Sequence, residues 1–177
     1  LAPFMLAISV AIKMDSPGPV IFKQVRITTY GRKFYIYKFR TMVAGADKIG
    51  SKVTVRGDSR ITKIGEFLRK YRLDEIPQLF NVLIGDMSFV GTRPEVEKYV
   101  HQYNDAMKAT LLMPAGITSL ASIKYKDEDQ LLRNAENTDE EYVKIVLPEK
   151  MKYNLKALEE FDIFSDLKTM IATVFAV

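Results

Sequence analysis

Lys33-Phe34-Tyr35-Ile36-Tyr37-Lys38-Phe39-Arg40-Thr41 alternates side-chain character residue by residue, and Val20-Ile21-Phe22-Lys23-Gln24-Val25 does much the same just upstream. Period-two alternation marks a strand, and Tyr30-Gly31 between the two runs supplies turn chemistry. The pair reads as an antiparallel hairpin with Phe34, Ile36 and Lys38 on one face and Tyr35, Tyr37 and Phe39 on the other. The remainder reads mostly as helix. Residues 62–71 space Ile64, Phe67, Leu68 and Tyr71 helically and end in the basic cluster Arg69, Lys70 and Arg72. Residues 74–83 form a second expected helix, closed by Ile84-Gly85-Asp86, and residues 95–109 and 140–161 form others, the last with Pro148 as a break. Residues 43–58 are rich in Gly, Ala, Asp and Ser without periodicity and read as a loop.

The chain has 177 residues, 47% hydrophobic and 27% charged, which suits one folded domain and rules out disorder. It holds no cysteine, which removes disulfides, zinc-thiolate sites, iron–sulfur clusters and thiol nucleophiles. The single histidine, His101, argues against a histidine triad or metal cage. Carboxylates, Lys, Arg and hydroxyls must therefore carry any chemistry. Net charge is +4, unevenly spread: residues 1–100 hold 17 Lys and Arg against 9 Asp and Glu, whereas residues 101–177 hold 9 against 13. A basic first half implies an anionic partner, whether nucleic acid, a phosphorylated small molecule or an anionic membrane.

Residues 1–12 (LAPFMLAISVAI) carry no charge, and Lys13, Asp15 and Pro17-Gly18-Pro19 stop the run. As a helix it would reach about 20 Å at about 1.5 Å per residue, against a hydrocarbon core of about 30 Å, so it is too short to span. A secretory signal fits poorly, since there is no basic leader and no small-residue cleavage site. A buried core helix and a half-membrane element both remain open, with Pro3 at a helix start or at the break of a re-entrant hairpin. At the other end, Ile163, Phe164, Leu167, Met170, Ile171, Val174 and Phe175 share one helical face. That face suits either the core or a bilayer interface. Repeats, low-complexity tracts and linkers are absent from the sequence.

The densest chemistry lies in Arg69-Lys70-Tyr71-Arg72-Leu73-Asp74-Glu75-Ile76-Pro77-Gln78 and in Gly85-Asp86-Met87-Ser88-Phe89-Val90-Gly91-Thr92-Arg93-Pro94. Asp74 fits an N-cap and Glu75 a first helical position, with Pro77 tolerated in the first turn. Unsatisfied N–H groups and the helix dipole would keep both carboxylates ionised. Neighbours in a helix do not face each other, so the pair suits a nucleophile beside a metal ligand or general base better than a proton-sharing pair. Phosphoryl transfer needs cations around such a nucleophile, and Lys38, Arg40, Arg69 and Arg93 are the candidates. Asp-Glu at a helix start is also routine capping.

These residues resemble a specific family, the bacterial sugar transferases or monotopic phosphoglycosyl transferases. The resemblance runs through residues 17–24 (PGPVIFKQ), 34–42 (FYIYKFRTM), 73–83 (LDEIPQLFNVL), 85–95 (GDMSFVGTRPE) and, more weakly, Gly116-Ile117-Thr118. It implies a two-step reaction: Asp74 attacks the sugar-bearing phosphate of a UDP-sugar, UMP leaves, and a polyprenyl (undecaprenyl) phosphate takes the sugar phosphate from the aspartyl intermediate. Such a step begins capsule, O-antigen, exopolysaccharide or glycoprotein glycan assembly. The resemblance further implies Mg²⁺ held at Asp74 and Glu75, Glu75 as metal partner or base, and Lys38, Arg69 and Arg93 near the phosphates, with Arg40 a further cationic candidate. It places the protein on the cytoplasmic face of the bacterial inner membrane, among inner-leaflet lipids. The expected fold is then α/β (α+β): a small antiparallel hairpin packed among several helices, with a partial re-entrant membrane helix over residues 1–14, interfacial amphipathic helices, and a catalytic domain over residues 15–177. In the family a Ser-Pro breaks the re-entrant helix. Ala2-Pro3 stands there here, so the sequence is expected to begin at the break.

Two departures stand out. Gly91-Thr92-Arg93-Pro94 replaces a common Gly-Pro-Arg-Pro, and Pro114-Ala115-Gly116-Ile117-Thr118-Ser119 replaces a common Arg-Pro-Gly-Ile-Thr-Gly. Asp127, Glu128 and Asp129 read as a solvated helix start. The rival from another class is a basic nucleic-acid-binding module, motivated by the interleaved aromatics Phe34, Tyr35, Tyr37 and Phe39. The uncharged N-terminal run has no purpose in such a module, so the expected partners exclude nucleic acid.

Overall fold

The computed structural model describes residues 1–46, 49, 57–132, 135 and 137–176. Helix α1 (Ala2–Asp15) begins with Pro3 in its first turn, where a missing N–H costs nothing. Ile8 and Ile12 form its buried side, packed with Phe39 and Leu68, while Leu6 and Met14 face outward. Strands β1 (Ile21–Ile27) and β2 (Lys33–Phe39) then pair antiparallel in the register Ile21 opposite Phe39 through Ile27 opposite Lys33. The turn between them holds Tyr30 at φ 55° and Gly31 at φ 75°, so the expected Tyr-Gly turn is left-handed at both residues. The two faces of β2 are unequally covered, with Tyr35 left 56% exposed. Phe34 and Ile36 pack with Met87, whereas Phe39 packs beneath α1. Burial of Phe34 and Phe39 removes half of the aromatic platform that a nucleic-acid reading requires.

Helix α2 (Lys63–Lys70) starts at Thr62, whose hydroxyl accepts the Gly65 N–H at 3.0 Å. Gly65 lies against β2's exit: a Cβ there would stand 2.0 Å from the Thr41 carbonyl oxygen. Gly65→Ala is therefore expected to cost about 2 kcal/mol through forced separation of α2 from that strand end, checked by urea denaturation of the protein. Residues 43–46 and 57–58 of the expected loop form turns; residues 47, 48 and 50–56 lie outside the described residues.

A helix over 74–83 does not form as one piece. Residues Leu73–Glu75 make a 3₁₀ turn, and α3 spans only Gln78–Leu83, with Pro77 preceding it. Pro77 has no N–H to donate to Leu73, and its ring would strike that carbonyl in a continuous α-helix. Asp74 is thus not an N-cap, nor is Glu75 a first helical position.

Strand β3 (Met87–Val90) pairs in parallel with β4 (Ala115–Thr118), a two-stranded sheet that local alternation did not reveal. Parallel strands need a crossover, here residues 91–114. The helix expected over 95–109 is split within that crossover into α4 (Glu97–Val100) and α5 (Asp105–Lys108), followed by a 3₁₀ turn at Ala109–Leu112. Asn104 causes the split by accepting the Met107 N–H at 2.9 Å, which starts a new helix. Helices α6 (Leu120–Lys124), α7 (Glu128–Leu131) and α8 (Thr138–Glu141) follow. A π turn at Tyr142–Val146 leads into α9 (Leu147–Glu159), with Pro148 at its start. The expected break at Pro148 takes that form, a widened turn that avoids a proline clash without ending the helix. Tyr99, Tyr103, Leu132, Tyr142, Val146, Leu147 and Met151 make the second core.

Helix α10 (Ile163–Ala176) buries Thr169, and Thr173 and Thr118 share a 2.7 Å hydroxyl contact. Its apolar residues point away from that contact, Phe164 being 80% and Phe175 84% exposed. Among the described residues no helix is long and apolar enough to cross a membrane.

Candidate active site

Four segments meet around the Asp74-Glu75 turn: β2, the end of α2, the start of α3 and the chain leaving β3. Arg72 creates the turn by adopting φ 54°, the left-handed region, which costs a non-glycine residue about 1 kcal/mol. That reversal folds Asp74 inward to 7% exposure. Asn81, fully buried in α3, fixes the distance to the hairpin: its Nδ2 donates to the Tyr35 carbonyl at 2.8 Å and its Oδ1 accepts the Tyr37 N–H at 3.0 Å. Two backbone groups on the free edge of β2 are thereby satisfied, and Lys38 is held over the turn. An Asn inside the apolar run Leu79-Phe80-Asn81-Val82-Leu83 was the available signal for this role, and sequence reasoning missed it.

Lys38 Nζ stands 2.9 Å from Glu75 Oε1 and 4.0 Å from Asp74 Oδ2. Arg93 forks the same Glu75, one nitrogen donating to Oε2 at 3.2 Å and the other to Oε1. Arg93 is presented by a close crossing of backbones. Gly91 N–H donates to Thr118 O and Gly116 N–H to Thr92 O, each at 3.0 Å. A Cβ at Gly116 would lie 2.2 Å from Gly91 N, so only glycine permits this approach. The Gly91-Thr92-Arg93-Pro94 departure thus keeps both the crossing and the arginine. In the other departure, Ser119 caps α6, its hydroxyl accepting the Ser122 N–H at 3.0 Å.

Arg69 Nε donates to the Thr41 hydroxyl at 2.9 Å, and the Arg69 charge acts on Asp74. Arg40 goes elsewhere. It is buried with its guanidinium on the carbonyls of Ser16, at 2.7 Å, and Pro17, so it ties the exit of α1 to β2 rather than joining Lys38 and Arg93. Glu128, expected in a solvated helix start, instead accepts from Lys150 at 2.8 Å, and its charge acts on Arg93. Asp127 is exposed as expected, and the Asp129 side chain lies outside the described residues.

The two carboxylates are pushed apart. Burial raises the Asp74 pKa, and the charge on Glu75 raises it further, against the opposing pull of Lys38. Burial would raise Glu75 too, but Arg93 and Lys38 outweigh it and hold that group well below the ordinary glutamate value. Burial also lowers Lys38, and Glu75 counters that by favouring the ammonium. Glu75 is therefore a fixed anion with its oxygens occupied, whereas no hydrogen bond among the described residues reaches the Asp74 carboxylate. Such an open, weakly solvated carboxylate beside two cations can attack phosphorus.

Among the described residues no three His, Asp or Glu side chains converge as a metal cage. A carboxylate oxygen joined by phosphate oxygens and water is, however, a donor set that Mg²⁺ accepts. Asp74 offers one directly, and Glu75 would do so by exchanging Lys38 or Arg93. The residues fit an ion shared with a phosphate ligand.

The bacterial sugar transferase family model matches residues 1–177. The UDP-glucose:undecaprenyl-phosphate glucose-1-phosphate transferase of Escherichia coli (strain K12) is 35% identical over 180 residues, covering 99% of this chain and 36% of that protein. A UDP-N-acetylgalactosamine-undecaprenyl-phosphate N-acetylgalactosaminephosphotransferase of Aeromonas hydrophila is 48% identical over 103 residues, or 58% of this chain and 24% of that protein. The galactosyl transferase CpsE of Streptococcus agalactiae serotype III (strain NEM316) is 37% identical over 168 residues, or 89% of this chain and 34% of that protein. The chain spans about a third or less of these relatives. With the motif blocks, the Asp74-Glu75 turn and a match over its whole length, the chain belongs to the bacterial sugar transferase family.

Proposed function

We propose that this chain is the catalytic part of a phosphoglycosyl transferase that moves a sugar 1-phosphate from a UDP-sugar to undecaprenyl phosphate. The observation that carries this reading is the contrast inside one turn: Glu75 is saturated by Lys38 and Arg93, while Asp74 is buried beside them, its Oδ2 4.0 Å from Lys38 and its carboxylate without a hydrogen bond among the described residues. An Asp74 oxygen forms a bond to the sugar-bearing phosphorus, the bridging P–O bond breaks, and UMP departs with the electron pair. A phosphate oxygen of the lipid then attacks the same phosphorus, and the Asp74–phosphorus bond breaks to restore the carboxylate and yield polyprenyl diphosphate sugar. Lys38 and Arg93, held beside Asp74 by Glu75, put their charge next to the transferring phosphoryl group, and the Arg69 charge acts on Asp74. When bound, Mg²⁺ at Asp74 and Glu75 would screen the phosphate oxygens.

The lipid acceptor requires a membrane surface. The outward residues of α1 and the uncovered face of α10 support a seat against the inner leaflet at the cytoplasmic face, with α1 as the returning half of a re-entrant hairpin. The relatives act on different sugars by name, so the test is UMP release by the intact protein with undecaprenyl phosphate, Mg²⁺ and a panel beginning with UDP-glucose and UDP-N-acetylgalactosamine. Turnover of one UDP-sugar is expected; none across the panel would overturn the reading. Arg93→Ala should lower kcat/KM by about a hundredfold, as expected for loss of a preorganised cation facing developing phosphate charge. Unchanged kinetics would remove Arg93 from the site.

A further inference from the structure

The chain just past Arg93 enters a buried polar cluster that the transfer reaction itself does not use. Glu95 is 7% exposed. Its Oε1 accepts the Tyr142 hydroxyl proton and lies 3.9 Å from Lys150 Nζ. Its Oε2 lies 3.7 Å from an Arg26 nitrogen that also donates to the Pro94 carbonyl at 3.1 Å. Lys150, 5% exposed, donates to the Tyr142 hydroxyl at 3.3 Å and to Glu128 at 2.8 Å. The Glu95 carbonyl, for its part, accepts the Ile27 N–H at 3.0 Å. One buried carboxylate thus gathers donors from β1, from the π turn and from α9, segments that the chain brings together only on folding.

A buried glutamate is costly unless it is paired and hydrogen-bonded, and a fully satisfied network holds its members rigidly. Here the rigid part is Pro94-Glu95, and the next side chain back is Arg93. Arginine loses considerable freedom when it is held in one geometry, so a backbone anchored within two residues lowers the cost of aiming its fork. The π turn gains a purpose on this view, because widening the helix ahead of Pro148 accompanies the inward placement of the Tyr142 hydroxyl.

We propose that Glu95, Tyr142 and Lys150 are positioning residues that hold Arg93 in its transfer geometry, which assigns a catalytic support role to the C-terminal helices. This rests on the proposed reading of Arg93 as a phosphate-facing cation. The interaction matters most when charge develops on the transferring group, so its loss falls on kcat rather than on KM.

The test is a double-mutant cycle in the intact protein. UMP release is measured with undecaprenyl phosphate and whichever of UDP-glucose or UDP-N-acetylgalactosamine supports wild-type turnover. Tyr142→Phe keeps the ring packed on Tyr99 and removes only the hydroxyl; it should lower kcat about tenfold with little change in KM, and the lost hydrogen bond to buried Glu95 should lower the melting temperature modestly without unfolding the protein at assay temperature. In an Arg93→Ala background the same substitution should cost nothing further. Lys150→Gln, which cuts a different arm of the network, should repeat the pattern and decides the matter if Tyr142→Phe fails to fold. Equal losses in both backgrounds, or wild-type kcat in both variants, would overturn the proposal. Asp74→Asn separates the two levels: full turnover there would remove the transfer reading itself, whereas loss there together with additive Tyr142 and Arg93 effects removes only the positioning role.

Discussion

Asp74→Asn should abolish UMP release, by at least about a thousandfold, in a protein that is as stable as the wild type or more so. The two halves of that result have separate causes in one carboxylate. An amide oxygen cannot form and then release the phosphoryl bond, so chemistry stops. Burial and the neighbouring Glu75 raise the Asp74 pKa above its unfolded value, so the folded state binds the extra proton in the window between the two values. There the unfolded state holds fewer protons, stability falls as pH rises, and above the window the ionised Asp74 is a standing cost. Asparagine removes that cost. Thermal melts at neutral pH, run beside the UMP assay, check both halves; a large loss of stability would show that Asp74 is structural. In the wild type, activity should fall on acidification at a higher pH than an ordinary aspartate would give, since the nucleophile must be ionised.

Glu75→Gln should behave in the opposite way. Glu75, Lys38 and Arg93 have side chains 11%, 19% and 25% exposed, so solvent screens this group only weakly. Removing one charge leaves two cations facing each other with little water, and breaking a buried ion pair of this kind costs about 3–5 kcal/mol. Denaturant midpoints should therefore drop sharply, with activity lost as well. The pH dependence supplies a second reading. Glu75 sits well below its unfolded value, so its contribution in the wild type is present above that value and disappears as pH falls through the folded one. In the variant, Lys38 loses the partner that countered its burial, and its pKa falls further. The folded state then binds fewer protons than the unfolded one at alkaline pH, so part of the lost stability should return as pH rises. A variant as stable as the wild type at every pH would remove the claim that Glu75 is the anchor of the cluster.

The hairpin was legible because alternation between Phe34, Ile36 and Lys38 on one face and Tyr35, Tyr37 and Phe39 on the other is a local property of a strand. Helices α1, α2 and α10 were legible for the same reason, since an uncharged run or apolar residues at helical spacing are read within a few residues of each other. The Asp74-Glu75 pair and Lys38, Arg69 and Arg93 could be picked out by residue type and motif. Elements whose partners are distant in sequence were not legible. The parallel pairing of β3 with β4 depends on a backbone crossing at Gly91 and Gly116, whereas the split of the 95–109 helix rests on a local cap, Asn104 on the Met107 N–H, that apolar spacing does not show. Arg40 looked like another site cation because residue type alone cannot tell a guanidinium that ends on the Ser16 and Pro17 carbonyls from one that faces a ligand.

By itself, then, the sequence determined the chemical inventory: no thiol, almost no imidazole, two adjacent carboxylates and a basic first half. It also determined the hairpin, helices α1, α2 and α10, and the family. Tertiary structure alone decided which carboxylate is open and which is saturated. Ionisation and hydrogen bonding depend on what the fold packs within a few ångströms, and Lys38 and Arg93 reach Glu75 from 37 and 18 residues away.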